Sequence, residues 1–185
     1  MGTSILDRWL GRPLKPALRA TAEQHPAEPK DAESQFNLAR QFAGGEGVVQ
    51  DYAHAAEWYL KAAGQDHCAA QFNLGLMYRQ GQGVLRNEVT AGVWLRKAAE
   101  LGHAEAQYHV GVKQHRTSKG ELPPEASECR IEAFKWLKLA VEQGNHGAES
   151  ALEFVALGMT LEELGEGGRR AVAFRDGQIQ QGTAA

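Results

Sequence analysis

Seven histidines and two cysteines are the side chains of this sequence best suited to chemistry, because imidazole and thiolate groups bind metal ions and transfer protons. Their spacing does not support such a site. Cys68 and Cys129 form no Cys-x-x-Cys pair, and no two histidines stand in a His-x-x-x-His arrangement. His109 and His115 lie six residues apart on one predicted helix, so their rings point in different directions. The sequence therefore predicts no metal site, no cofactor and no catalytic residue.

Composition narrows the class of protein further. The chain has 185 residues, 43% of them hydrophobic and 23% charged, which is typical of a soluble folded protein. A formal charge of −3 gives no reason to expect nucleic-acid binding. No apolar run approaches the roughly 18 residues that cross a bilayer, and the amino end lacks the pattern of a signal peptide. We expect a cytoplasmic protein with two free thiols, a single disulfide being the alternative.

The elements that position these side chains follow from an internal repeat. A five-residue stretch at 35–39 returns at 71–75 and at 107–111, a period of 36 residues. Such a period indicates a solenoid, whose units bury their apolar faces by stacking on one another. Ala70, Leu74 and Tyr78 share one face of a predicted first helix in the second unit. The equivalent residues of the neighbouring units are Ser34, Leu38 and Phe42, and Ala106, Val110 and Gln114.

A glycine turn and a second helix complete each of the first two units. Residues 45–48 and 81–84 carry the glycines that a tight reversal needs, and Asp51 and Asn87 are suited to cap the helix that follows. Along that helix the pattern Ala-x-x-Trp-x-x-x-Ala recurs, and we predict that its tryptophans are core residues. They are Trp58, Trp94 and Trp136.

The third unit departs from the pattern. Six extra residues lie between His115 and Cys129, and the stretch 118–124 lacks the glycine turn. We predict an extended surface loop there, with Ser127 as the cap of the next helix.

These motifs together resemble Sel1-like repeats (SLR), which are relatives of the tetratricopeptide repeat (TPR). The resembling pattern is Ala-x-x-x-Leu-Gly-x-x-Tyr, then Gly-x-Gly-Val, then Ala-x-x-Trp-x-x-x-Ala-Ala, and residues 69–102 match it nearly throughout. The resemblance implies an all-α fold, a right-handed α-solenoid of helix-turn-helix repeats. We expect three repeats, at about 31–66, 67–102 and 103–146.

The two ends of the chain are predicted to differ from the repeats. Residues 1–30 form a basic segment and linker, in which a short apolar face either covers the first unit or docks on a membrane surface or partner. That face is formed by Ile5, Leu6, Trp9 and Leu10. Residues 147–175 are expected to be C-terminal capping helices, the last of them started by a capping box at Thr160 and Glu163. Residues 176–185 are expected to be a tail.

The resemblance also implies where a partner binds, since the first helices of such a solenoid line its concave groove. Residues flanking the buried stripe stack across units in three rows, which we take as the candidate contact surface for a protein or peptide. An aromatic row at the repeat period is explained either by packing between units or by a ladder of binding anchors. The candidate residues are Phe36, Arg40, Phe72, Leu76, Arg79, Tyr108, Val112, His115 and Arg116.

The sequence thus predicts a non-catalytic interaction scaffold, an adaptor of bacterial type, whose partner it does not name. Two other functions stay open. Some cysteine-rich relatives of these repeats are linked to β-lactam binding or hydrolysis, although this chain lacks their paired cysteines and any Ser-x-x-Lys motif. An adaptor held at a membrane surface by residues 5–19 is the other.

Overall fold

The computed structural model describes residues 29–122 and 124–182, and this part of the chain folds into eight α-helices without a strand. The helices are α1 (Ala32–Gly44), α2 (Tyr52–Ala63), α3 (Cys68–Gln80), α4 (Glu88–Glu100), α5 (Ala104–Ser118), α6 (Glu125–Glu142), α7 (His146–Ala156) and α8 (Leu161–Gly182). The apolar N-terminal face with Trp9 lies outside the described residues, and so does the last part of the expected tail, 183–185.

Three helix hairpins follow one another along the chain, pairing α1 with α2, α3 with α4, and α5 with α6. The first helix of each hairpin packs on the second helix of the hairpin before it, and α7 continues this series by packing on α6. Fully buried alanines such as Ala55, Ala91 and Ala133 recur on the second helices and let their neighbours approach closely. The predicted all-α solenoid is confirmed.

The predicted turns and caps explain why the helices begin and end where they do. Gly45 and Gly81 adopt φ of 73° and 74°, the left-handed conformation in which a glycine ends a helix. Asp51 then accepts hydrogen bonds from two backbone N–H groups at the start of α2, and Asn87 does the same at the start of α4. Both predicted caps are confirmed.

The prediction that all three repeat tryptophans are core residues is wrong for two of them. Trp58 and Trp94 are half-buried, and a lysine ammonium lies over each ring, at 3.8 Å from the first ring centre and 4.6 Å from the second. The innermost side chain is instead the next residue, Tyr59 in α2 and Leu95 in α4. Only Trp136 is buried, because Phe174 of α8 packs edge-on against its ring at 5.2 Å.

Helix α8 is longer and more firmly attached than the sequence indicates. It begins with the predicted capping box, in which Thr160 and Glu163 each accept a hydrogen bond from the other's backbone N–H. It continues to Gly182, seven residues past the expected end at 175. The predicted cap at Ser127 is wrong, because α6 already begins after Pro124.

The side chain of Ser127 anchors α8 instead. Its hydroxyl donates to the Glu163 carboxylate at 2.5 Å, and the Arg130 guanidinium donates to the same oxygen at 2.5 Å. Burial on its own would raise the pKa of Glu163, but these hydrogen bonds and that of the Thr160 N–H outweigh it and lower the pKa to about 2. Glu163 is therefore ionised where α8 meets α6.

Candidate functional site

The nine candidate residues lie on the first helices of the three units, and none of them is fully buried. Arg40 on α1 and Arg116 on α5 are exposed. The half-buried residues are Phe36, Phe72, Leu76, Arg79, Tyr108, Val112 and His115. Their side chains are thus partly open to solvent, although they differ in what they contact.

The aromatic row packs between units. Phe36 stacks on the His67 ring at 4.5 Å between ring centres, and Phe72 stacks on the His103 ring at 4.4 Å. Both histidines also cap the following helix, since each Nδ1 accepts a hydrogen bond from a backbone N–H. Tyr108 packs against the apolar cluster formed by α6 and α7. The rings therefore contribute to stacking while part of each stays exposed.

Three equivalent places between units differ in shape, and we call them junctions. The first junction lies where α3 packs on α2, the second where α5 packs on α4, and the third where α7 packs on α6. The first holds a cavity of about 140 Å³ and the second a cavity of about 310 Å³. Arg79, Val112 and Arg116 of the candidate rows all line the second cavity.

The lining of the second junction combines apolar and basic residues. Ala91, Leu95 and Val112 supply the apolar wall. The basic side is formed by Arg79, Lys113 and Arg116, with His109 beside them.

Within the described residues, none of these three cations forms an ion pair with a carboxylate. Burial lowers the pKa of His109 and the charge of Arg79 lowers it further, so the ring is neutral. Its Nδ1 lies 3.4 Å from the Arg79 guanidinium. Glu88, an acidic residue of the lining, pairs with Arg86 at 2.9 Å. The cavity therefore has a positive potential.

The first junction is smaller because the glycine turn of the second unit closes it. Gly83, with φ of 67°, lies so close to the start of α2 that a Cβ atom there would come within 2.1 Å of the Tyr52 carbonyl oxygen. Tyr52, Tyr59 and Gln82 fill the remaining space. In the third unit α5 continues to Ser118 instead of turning, so the start of α4 stays open beside the second junction.

The third junction carries an aromatic contact between α5 and α7. His115 meets the Phe154 ring edge-on at 5.5 Å, and the Lys119 ammonium lies 5.3 Å from the centre of the same ring. Burial lowers the pKa of His115 and Lys119 lowers it further. Neither ring nitrogen of His115 has a hydrogen-bond partner in the described part of the chain. His115 therefore serves packing here.

Comparison with known proteins is consistent with this architecture. The Sel1 repeat model matches residues 32–67, 68–103 and 104–145. The chain belongs to the Sel1 repeat family. Proteins of this family generally act as non-catalytic scaffolds for protein interactions. No curated protein matches the sequence.

Two solved structures of Sel1 repeat proteins resemble the chain. A Sel1 repeat protein from Oxalobacter formigenes is 30% identical, with a TM-score of 0.62 over 89% of this chain and 65% of that one. The protein c5321, a protective antigen of uropathogenic Escherichia coli with an SLR fold, is 23% identical, with a TM-score of 0.57 over 93% of this chain. The chain spans 65% of the first protein and 44% of the second.

Residues 29–122 and 124–182 also bear on two other features, a metal site and a membrane-spanning helix. No group of three metal-binding side chains occurs there, and no helix is long and apolar enough to cross a membrane. Cys68 and Cys129 are free thiols.

Two features of the Sel1 units escape the sequence-based reading. Buried Gln71 and Gln107 each donate from their side-chain amide to a carbonyl near the end of the preceding unit, at 3.1 and 3.2 Å. Their recurrence every 36 residues was the available signal. Lys113 gives no repeat signal, because Gln41 and Met77 occupy its equivalent positions. Lys113 could have been found from the change to a charged residue at this repeat position.

Proposed function

We propose that this Sel1 repeat protein is a non-catalytic adaptor that binds a segment of a protein partner along α1, α3 and α5. The observation that carries the proposal is the open second junction, where three candidate residues on two successive first helices line one cavity. Packing between units does not require that opening, since the first junction stacks the equivalent helices around less than half the volume.

Half-exposed rings next to the cavity support the same surface. Phe72 contacts both His103 and His109, at 4.4 and 6.0 Å between ring centres, and so connects the aromatic row to the cavity. Aromatic and arginine side chains carry much of the energy at protein interfaces. A partner lying along α3 and α5 would touch both kinds of residue.

The test is affinity capture from the source cell with the full chain and matched charge variants. Arg40→Glu and Arg79→Glu reverse charges on the proposed surface, and Arg169→Glu reverses an exposed charge on α8 as the control. We expect a protein that is enriched by the wild type and the control and lost from at least one surface variant, with equal melting temperatures. Enrichment that is the same for all four proteins would contradict the proposal.

A further inference from the structure

The second junction differs from the first at the residues that line its cavity, although the helices around it correspond. Residues 36 apart take the same places in the two junctions, so that Arg79 stands where Ala43 does, and Lys113 where Met77 does. His109 replaces Asn73, and Arg116 replaces Gln80. Four uncharged residues thus correspond to three cations and a neutral histidine. Because the first junction packs well without the cations, stacking does not explain them.

The three cations lack an anion within the described part of the chain. Glu88 pairs with Arg86, and no carboxylate of the described residues forms an ion pair with Lys113 or Arg116. Like charges around one cavity repel each other, more strongly than in open water because the cavity walls have a low dielectric constant. An anionic group in the cavity would relieve this repulsion. The site therefore has the charges of an anion-binding site.

The apolar wall restricts what kind of anion fits. Ala91, Leu95 and Val112 line the same cavity of about 310 Å³ as the cations. A small hydrated ion would leave this wall without a partner, whereas an aliphatic side chain would cover it. A nucleic acid would need more phosphate contacts than three cations supply. The combination fits a peptide that presents a carboxylate next to an aliphatic side chain.

We propose that the second junction is a subsite for an acidic segment of the partner, in which a glutamate or aspartate side chain binds Arg79, Lys113 and Arg116 while a neighbouring leucine-like side chain covers the apolar wall. This inference rests on the proposed scaffold function and names the chemistry of its partner. The first junction, which has the equivalent helices but none of these cations, does not bind such a segment.

The test measures fluorescence anisotropy with the full chain and two labelled heptapeptides, capped at both ends. In one, leucine alternates with glutamate; in the other, glutamine replaces each glutamate. We expect the acidic peptide to bind at least tenfold more tightly than its glutamine counterpart, and its affinity to fall as salt is added. Equal affinities, or no binding of the acidic peptide to the wild type, would overturn the proposal.

A matched pair of variants locates the binding. Lys113→Met with Arg116→Gln installs the residues that the first junction already carries, so the fold is expected to be kept. Lys61→Gln with Lys97→Gln removes the same charge from exposed positions on α2 and α4, outside the cavity; because each ammonium lies over a tryptophan ring, the melting temperature of this pair is measured as well. The first pair should weaken acidic-peptide binding at least tenfold and the second pair less than twofold. Equal losses would show that net charge alone attracts the peptide, and the subsite would be wrong.

Two further outcomes separate related ideas. If a phosphoserine peptide binds more than tenfold more tightly than the glutamate peptide, the site prefers a phosphate group, and the assignment to a carboxylate is wrong. A captured partner that is lost from Arg40→Glu can still bind the double variant Lys113→Met with Arg116→Gln as tightly as it binds the wild type. That result would support the scaffold function and refute the subsite. Failure of the scaffold itself would appear as the absence of any discriminated partner.

Discussion

The first and second junctions of this Sel1 repeat protein pack equivalent helices in the same order, but their cavities differ in volume, at about 140 and 310 Å³. A buried glutamine donates a hydrogen bond to the preceding unit at both junctions, and buried alanines recur at the same positions. The lining differs, from Ala43, Met77 and Gln80 in one to Arg79, Lys113 and Arg116 in the other, and the glycine turn that closes the first junction has no counterpart at the second. The comparison teaches that repeated residues hold the solenoid, whereas information about a partner lies where one unit departs from its neighbours.

The glycine turn that closes the first junction gives the largest expected effect. Gly83→Ala would place a Cβ against the Tyr52 backbone and force a non-glycine residue to positive φ. We expect the free energy of unfolding to fall by about 3 kcal/mol.

The control lies in the third unit. Gly120 has no positive φ, and the nearest contact of an added Cβ there is at 3.7 Å. Gly120→Ala should therefore change stability by less than about 0.5 kcal/mol. Denaturant unfolding measures both variants, and a similar cost for the two would show that the turn does not set the first junction apart.

The second effect tests whether a cation is tolerated only where the cavity is open. Met77 is buried and Lys113, at the equivalent position, is exposed. Met77→Lys should cost about 2 kcal/mol, since it brings a charge into a closed junction. Lys113→Met should be neutral or slightly stabilising. Thermal and denaturant unfolding of both variants decide the matter, and equal costs would mean that the two junctions are not different environments for charge.

A third effect tests the part of the comparison in which the junctions agree. Replacing the buried glutamine of either junction by leucine, as Gln71→Leu or Gln107→Leu, removes the hydrogen bond to the preceding unit and leaves a buried carbonyl with one partner fewer. Each should lower the free energy of unfolding by about 1 to 2 kcal/mol. The loss should be larger for Gln107, because its Oε1 also accepts a hydrogen bond from the Gln143 side-chain amide at 2.8 Å, whereas the Oε1 of Gln71 has no partner in the described residues. A loss at one junction only would show that the two equivalent hydrogen bonds do not both stabilise the fold.

Much of the fold could be predicted because the repeat period constrains it. The 36-residue return located the units, and Asp51 and Asn87 located helix starts through a local rule that does not depend on distant contacts. Burial of the tryptophans could not be predicted in this way. Trp58, Trp94 and Trp136 are equivalent in sequence, yet only Trp136 meets Phe174 of α8, some 38 residues further along the chain.

The candidate site was predicted less completely for a related reason. Repetition identified rows of residues, among them Arg79, Val112 and Arg116, but it could not separate packing from binding within a row. His115 belongs to the same row as Arg79 and packs against Phe154 instead of lining a cavity. Lys113 was missed because it replaces a buried methionine, and a search for what repeats overlooks what changes.

The most direct test of the account maps the acidic heptapeptide onto the full chain by amide chemical shifts in ¹H–¹⁵N NMR spectra. Binding at the second junction predicts shifts concentrated in residues 88–95 and 109–117. Residue 79 should shift with them, because Arg79 lines the second cavity, whereas the first-junction residues 52–59 and 73–77 should stay unchanged, and so should the spectrum of Lys113→Met with Arg116→Gln. Shifts of equal size at both junctions would contradict the claim that the departure of the third unit from its repeat creates the site.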